Sequence, residues 1–250
     1  MQFSSNELFI LLNQAGPLWL IGADLSMANL SNTNLTGAKL NQAKLFGTDL
    51  TGATLCGADL SNANLGSAVL VKSNLTNANL SGADLFEANL TGADLTNVNL
   101  KGAKLNNVNL IDAKLSKDSL SNSDLGFATL RNADLQGFDL SQSKMFRTDL
   151  SNADLSKANM SLVDLTEANL SNATLVDSIL GKANLFGANF SQANLTKADL
   201  SSANLSFANL NGAILTLAKL TGATLLLAQY DKNTKWPDDF DPVIAGTQLQ

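Results

Sequence analysis

Apolar and polar positions along the chain repeat every five residues. From Leu20 to Tyr230 every residue whose number is a multiple of five is apolar, and only Met145, Met160, Phe190 and Tyr230 are not leucine. Neither standard element produces that spacing. Five residues of α-helix turn through about 500°, which leaves successive leucines roughly 140° apart. In a continuous strand, residues five apart point to opposite faces. The chain must therefore change direction within each pentapeptide and wind into a coil that keeps every leucine inward. A long, uninterrupted internal array of this kind predicts an all-β solenoid.

The remaining columns fit that reading. With leucine as position i, position i−2 is mostly Ala, and Thr33, Ser73 and Val98 show the small substitutes a tighter inward site accepts. Position i−1 is mostly Asn or Asp, as in Asp24, Asn29 and Asn34; such side chains face water or bond to nearby backbone. Position i+2 collects glycines (Gly37, Gly52, Gly82, Gly92) and asparagines, which tolerate the positive φ of the third residue of a type II turn. Lys, Glu, Arg and Phe at other i+2 positions predict a different turn at those corners. Pro17, Pro237 and Pro242 all lie outside the array, as a coil paired above and below requires.

The tandem "A-[DN]-L-x-x" pattern resembles the pentapeptide-repeat proteins, over residues 20–230. The resemblance implies a right-handed quadrilateral β-helix with four pentapeptides per coil, about eleven coils in all. The closing stretch "YDKNTKWPDDFDP" is similar to the end of many cyanobacterial members. Three segments follow: 1–19 as an N-terminal capping segment, 20–230 as the β-helix and 231–250 as a C-terminal capping tail. Open solenoid ends need covers. "SSNELFILLNQAGP" predicts a short capping helix, with Ser4 and Glu7 as a capping box and Gly16-Pro17 as its stop. Leu8, Phe9, Leu11 and Leu12 would lie over the first coil near Trp19, and Tyr230, Trp236 and Phe240 over the last. The alternative use of an end is a homodimer interface, which some family members have.

Composition narrows the chemistry. The chain has no histidine, so it lacks the commonest general base and metal ligand. Carboxylates recur as repeat positions rather than as a convergent pair, and no phosphate loop or zinc-type cysteine spacing occurs. No catalytic residue, cofactor site or metal site is predicted. Cys56 is alone, at an outward i+1 position, and reads as a bystander thiol. A net charge of −6 argues against direct nucleic-acid or anionic-membrane binding. "LFILL" is too short to span a bilayer and lacks a basic leader, so a cytoplasmic location is expected.

One face carries a distinct pattern. With twenty residues per coil, Phe46, Phe86, Phe146 and Phe186 share the i+1 column of the face centred on Leu25, Leu45 and Leu65, and Phe127 and Phe207 share its i+2 column. Counted modulo fifteen they scatter. These six are all the outward phenylalanines of the array. An apolar row flanked by charges is what a protein-binding or self-association surface looks like; the other reading is local packing over their own backbone. The i−1 column of the same face alternates charge, with Asp84, Lys104, Asp124, Lys144 and Asp164 in sequence. A second departure is Asp118 at an inward i−2 site, with Phe138 one coil later, where the core is expected to distort.

The function read from these features is a non-catalytic interaction module or scaffold that binds an unidentified protein partner along one face. Some relatives resemble regulators of cyanobacterial differentiation. The alternative is a DNA-mimicking regulator of DNA gyrase or topoisomerase, as in quinolone-resistance members of the family. This chain departs from that type: lysines alternate with aspartates, and no loop interrupts the register.

Overall fold

The computed structural model describes residues 4–14, 16–117 and 120–250. Asp118 and the side chains of Leu8, Phe9 and Leu12 lie outside the described set. The chain divides into two compact units, Met1–Ser119 and Leu120–Gln250.

In both units the chain pairs in parallel with itself one circuit later. Bridges in the first unit run from Trp19↔Lys39 to Asp94↔Lys114, and in the second from Asp124↔Lys144 to Asn209↔Gln229, each linking i−1 residues twenty positions apart. Four pentapeptides therefore separate each residue from its ladder partner.

A pentapeptide with Asn or Asp before its leucine can bond all five of its N–H groups, as the one at Leu60 does. At Leu60, the leucine N–H donates to the Asn79 carbonyl (2.7 Å) and the Asn62 N–H to the Ser81 carbonyl (2.9 Å), both one coil on. The Ala63 N–H closes a turn onto the Leu60 carbonyl (3.0 Å), and the Asn64 N–H reaches back to the Ala43 carbonyl (2.9 Å). The remaining donor, the Ser61 N–H, goes to Asp59 Oδ1 (3.1 Å). The pentapeptide at Leu165 repeats the scheme, with Thr166 N–H donating to Asp164 Oδ1 at 3.1 Å. The Asn/Asp column thus supplies the acceptor that the backbone lacks, which is why short carboxylates and amides dominate i−1.

The corners are more uniform than the residue types suggest. At every i+2 position from Gly22 to Asp112 and from Asn122 to Leu227, φ is positive, between 53° and 72°. Lys72, Glu87, Arg147 and Phe127 adopt it as fully as glycine does. The expectation of different turns at those residues is overturned. The two ladder bonds that bracket each corner impose one geometry, and their summed strength exceeds the left-handed cost of about 1–2 kcal/mol.

Nearly all leucines at i are sealed from solvent, most of them completely, with alanines beside them; Leu115 and Leu220 are partly exposed. Where i−2 is a buried Thr or Ser, its hydroxyl finds a carbonyl: Thr48 and Thr148 donate to Leu25 and Leu125 at 2.9 Å. Phe138 is also buried at i−2, and its N–H keeps the usual turn bond to Leu135 (3.1 Å). Near the end of the first unit the pattern changes. The Asn97 N–H donates to Ser116 Oγ (2.6 Å), where equivalent corners use a carbonyl.

The terminal segments also carry specific bonds. Helix α1 spans Ser5–Leu12 with the capping box formed: Glu7 N–H to Ser4 Oγ at 3.3 Å and Ser4 N–H to Glu7 Oε2 at 2.8 Å. It stops before Gly16-Pro17, at Asn13, whose N–H turns back onto Ile10. At the other end strand β1 (Gln229–Tyr230) pairs in parallel with β2 (Gln248–Leu249). Between them the register slips by one: Ile214 bridges Lys235, not residue 234. The slip places Trp236 in line with Leu215, at the inward position. Asp231 holds the resulting bend, accepting from Gly212 N–H (2.8 Å) and Asn233 N–H (3.0 Å).

Candidate functional site

The phenylalanine face forms because i+1 and i+2 are the outward positions of each side. In the first unit Phe46 is 48% and Phe86 43% exposed. The Phe46 ring lies over Gly66, where an added Cβ would meet it at 3.2 Å. In the second unit the rings pair across neighbouring coils. Phe127 and Phe146 meet edge to face with centroids 4.7 Å apart, and Phe186 and Phe207 meet at 5.1 Å. Phe127, Phe186 and Phe207 nonetheless keep 38–49% of their surface in solvent. Local packing and exposure therefore coexist: the rings lie down on the coil and present one side outward.

Charges flank the rings in ladders. Arg147 places Cζ 5.8 Å from the Phe127 ring centre and Nε 2.7 Å from Glu167 Oε2. Elsewhere Lys104 meets Asp84 at 3.4 Å, Lys114 meets Asp94 at 3.7 Å and Lys219 meets Asp199 at 3.8 Å. These pairs are half exposed, so each contributes little to stability; their effect is to break up the negative field. The Asp94 carboxyl is held below its ordinary pKa, first by the hydroxyl and N–H of Thr96 and less by Lys114. Thr51 and Ser201 do the same for Asp49 and Asp199.

Among the described residues no group of three or more His, Cys, Asp or Glu side chains could hold a metal ion. No described helix is long and apolar enough to cross a membrane. Cys56 is a free, half-buried thiol.

Two features of this face went unread in the sequence. Aromatic partners alternate between columns i+1 and i+2, so they stand 19 or 21 residues apart rather than 20. Two of the three i+1 glycines of the array, Gly66 and Gly126, sit beneath phenylalanine rings, and the third, Gly181, lies on another face. Glycine is scarce at i+1, and that scarcity was a usable signal.

The pentapeptide-repeat family model matches in eight copies, which run from 20–52 through to 183–222. A pentapeptide repeat protein of known structure from Nostoc Pcc 7120 is 43% identical over 41% of this chain and 84% of its own, with a TM-score of 0.40. HetL, a pentapeptide repeat protein involved in heterocyst differentiation regulation from the cyanobacterium Nostoc sp. strain PCC 7120, is 32% identical. The match covers 90% of this chain and 96% of HetL, with a TM-score of 0.45. QnrB1, a plasmid-mediated fluoroquinolone resistance protein, is 19% identical in a trypsin-treated form, over 94% and 92% of the two chains, with a TM-score of 0.31. No curated protein matches.

Proposed function

The chain belongs to the pentapeptide-repeat family, whose fold is a repeat β-helix, and we propose that it acts as a non-catalytic interaction protein that docks a protein partner along one face. The array reads as a right-handed quadrilateral β-helix of about eleven coils. Residues 1–19, including α1, form its N-terminal cap and 231–250 its C-terminal cap. The inward place of Trp236 supports the second of these.

The observation that supports the docking role is the set of half-exposed phenylalanines on one face, Phe46 and Phe86 in the first unit and Phe127, Phe186 and Phe207 in the second. Isolated exposed apolar residues need no explanation, but rings gathered on one face of each unit mark an interaction surface. The DNA-mimic reading draws less support, because cations stand one coil from anions at Asp84, Asp94, Glu167 and Asp199.

The test replaces Phe86, Phe146 and Phe186 together with Ser. Affinity capture should lose a partner that the wild-type protein retains, with circular dichroism unchanged. A photo-reactive group at position 186 should cross-link that same partner. Equal capture by both proteins ends the proposal.

A further inference from the structure

The aromatic face of the second unit is complementary to itself. Its columns carry Asp124, Lys144, Asp164 and Asn184 at i−1, and Phe127, Arg147, Glu167 and Gly187 at i+2. Two copies meeting through this face are related by a two-fold axis lying in the interface. An axis parallel to the coil axis puts column i−1 against column i+2, so Lys144 meets Arg147 and Asp164 meets Glu167. Both contacts are repulsive. An axis along the strand direction keeps each column against itself and reverses the order of coils. Set on the coil of Met145, it opposes Lys144 to Lys144 and Arg147 to Arg147. Set on the coil of Leu165, it opposes Asp164 to Asp164 and Glu167 to Glu167.

Midway between the coils of Leu125 and Met145, Lys144 faces Asp124 but Arg147 faces Phe127; midway between those of Met145 and Leu165, both columns pair opposite charges. There Lys144 faces Asp164 of the second copy and Arg147 faces Glu167, twice over by symmetry. The apolar groups follow. Phe127 falls opposite Gly187, where an added Cβ would meet only Glu167 Cγ at 3.4 Å, so a ring has room. Phe186 falls opposite Gly126, whose space the ring of Phe146 fills, giving an aromatic contact.

We propose that the second unit associates with a second copy of this chain through this face, antiparallel, in the register that opposes Arg147 to Glu167. The inference rests on the reading of the aromatic face as a docking surface and names its partner. Four coils at about 4.8 Å give roughly 19 Å of face. The columns from i−1 to i+2 span roughly 10 Å, so the face covers about 200 Å², well under the roughly 800 Å² per partner of a standard interface, and the association is weak and sensitive to salt.

The test is sedimentation equilibrium of the full chain from about 10 μM to about 1 mM, at low and high salt. Dimerisation at low salt that weakens at high salt is expected. Arg147→Glu and Glu167→Arg each oppose like charges in a homodimer and should weaken it about tenfold or more. An equimolar mixture of the two variants restores opposite charges at both contacts, and its heterodimer should return to within about threefold of the native constant. Neither side chain supplies a turn acceptor, and circular dichroism checks folding. Lys144→Asp, which leaves the described turn acceptors in place, opposes two carboxylates in the i−1 column and should weaken the dimer as well. A monomer at every concentration, or mixtures no stronger than the single variants, overturns the proposal. A monomer that still captures another protein through its phenylalanines overturns it while leaving the docking role intact.

Discussion

The ring of Phe146 fills the space that a side chain on Gly126 would need, and its centre lies 4.7 Å from that of the Phe127 ring, nearly at right angles to it. Gly126 has ordinary backbone geometry, so sterics alone keep it a glycine. Gly126→Ala should displace Phe146 and cost about 1–3 kcal/mol, as overpacking does. Thermal melts of Gly126→Ala, Phe146→Ala and the double variant should show strong coupling. Additive effects would mean that the ring does not rest there.

The left-handed corners predict an asymmetric response. Gly57 has φ of +64° and no atom within 4 Å of an added Cβ, so Gly57→Ala tests backbone strain alone and should cost about 1 kcal/mol. Leu162 occupies an equivalent corner at φ 60° and is exposed. Leu162→Asn should stabilise by roughly 0.5 kcal/mol, read as a small rise in melting temperature.

Acid should weaken the coils from the outside. The carboxyls of Asp49, Asp94 and Asp199 lie below their ordinary pKa because hydroxyl and N–H groups of Thr51, Thr96 and Ser201 bond to the ionised form. A depressed folded value means that the stabilisation is complete above the unfolded value, near about 3.9, and is lost as pH falls through the lower folded one. Melting temperature should hold between about pH 5 and 8 and drop below about pH 4. Asp94→Asn keeps a turn acceptor and should blunt that drop; an unchanged acid limb would show that other groups set it.

The tail should behave as part of the ladder. Lys235 N–H bonds to Ala213 and Gln248 N–H to Ala228, at 2.9 and 2.8 Å, and Trp236 stacks on Phe240 with centroids 5.0 Å apart. Removing 231–250 should lower the melting temperature and promote aggregation. Asp231→Ala should loosen the bend and shift the emission of Trp236 before the main transition. Coincident fluorescence and circular-dichroism melts in that variant would argue against a separable tail.

Much of this was legible in the sequence because a pentapeptide repeat exposes each column more than forty times over. The inward leucines, the small i−2 site and the turn at i+2 all follow from residue types, and the aromatic face from counting in twenties. The uniform corners were not legible, since side chains such as Glu87 and Phe127 vote locally for other turns and are outweighed by ladder bonds to distant residues. The slip at Lys235 was hidden for a similar reason. Outside the repeat no column remains to show register, and Trp236 fills a leucine position under a different number. The pairing of Phe127 with Phe146 depends on how rings lean, which no spacing encodes.

The twenty-residue register of the ladders governs how such a chain can change length. Excising twenty residues, for instance 150–169, keeps every downstream side chain in its own column, because one whole storey is gone and only the coil at the cut meets new neighbours. Excising five turns everything beyond the cut onto the adjacent wall, and the phenylalanines after it leave their row. Copying errors in a gene of this kind are therefore silent or disruptive according to whether they count in twenties, and the length of the protein is free to drift only in whole storeys.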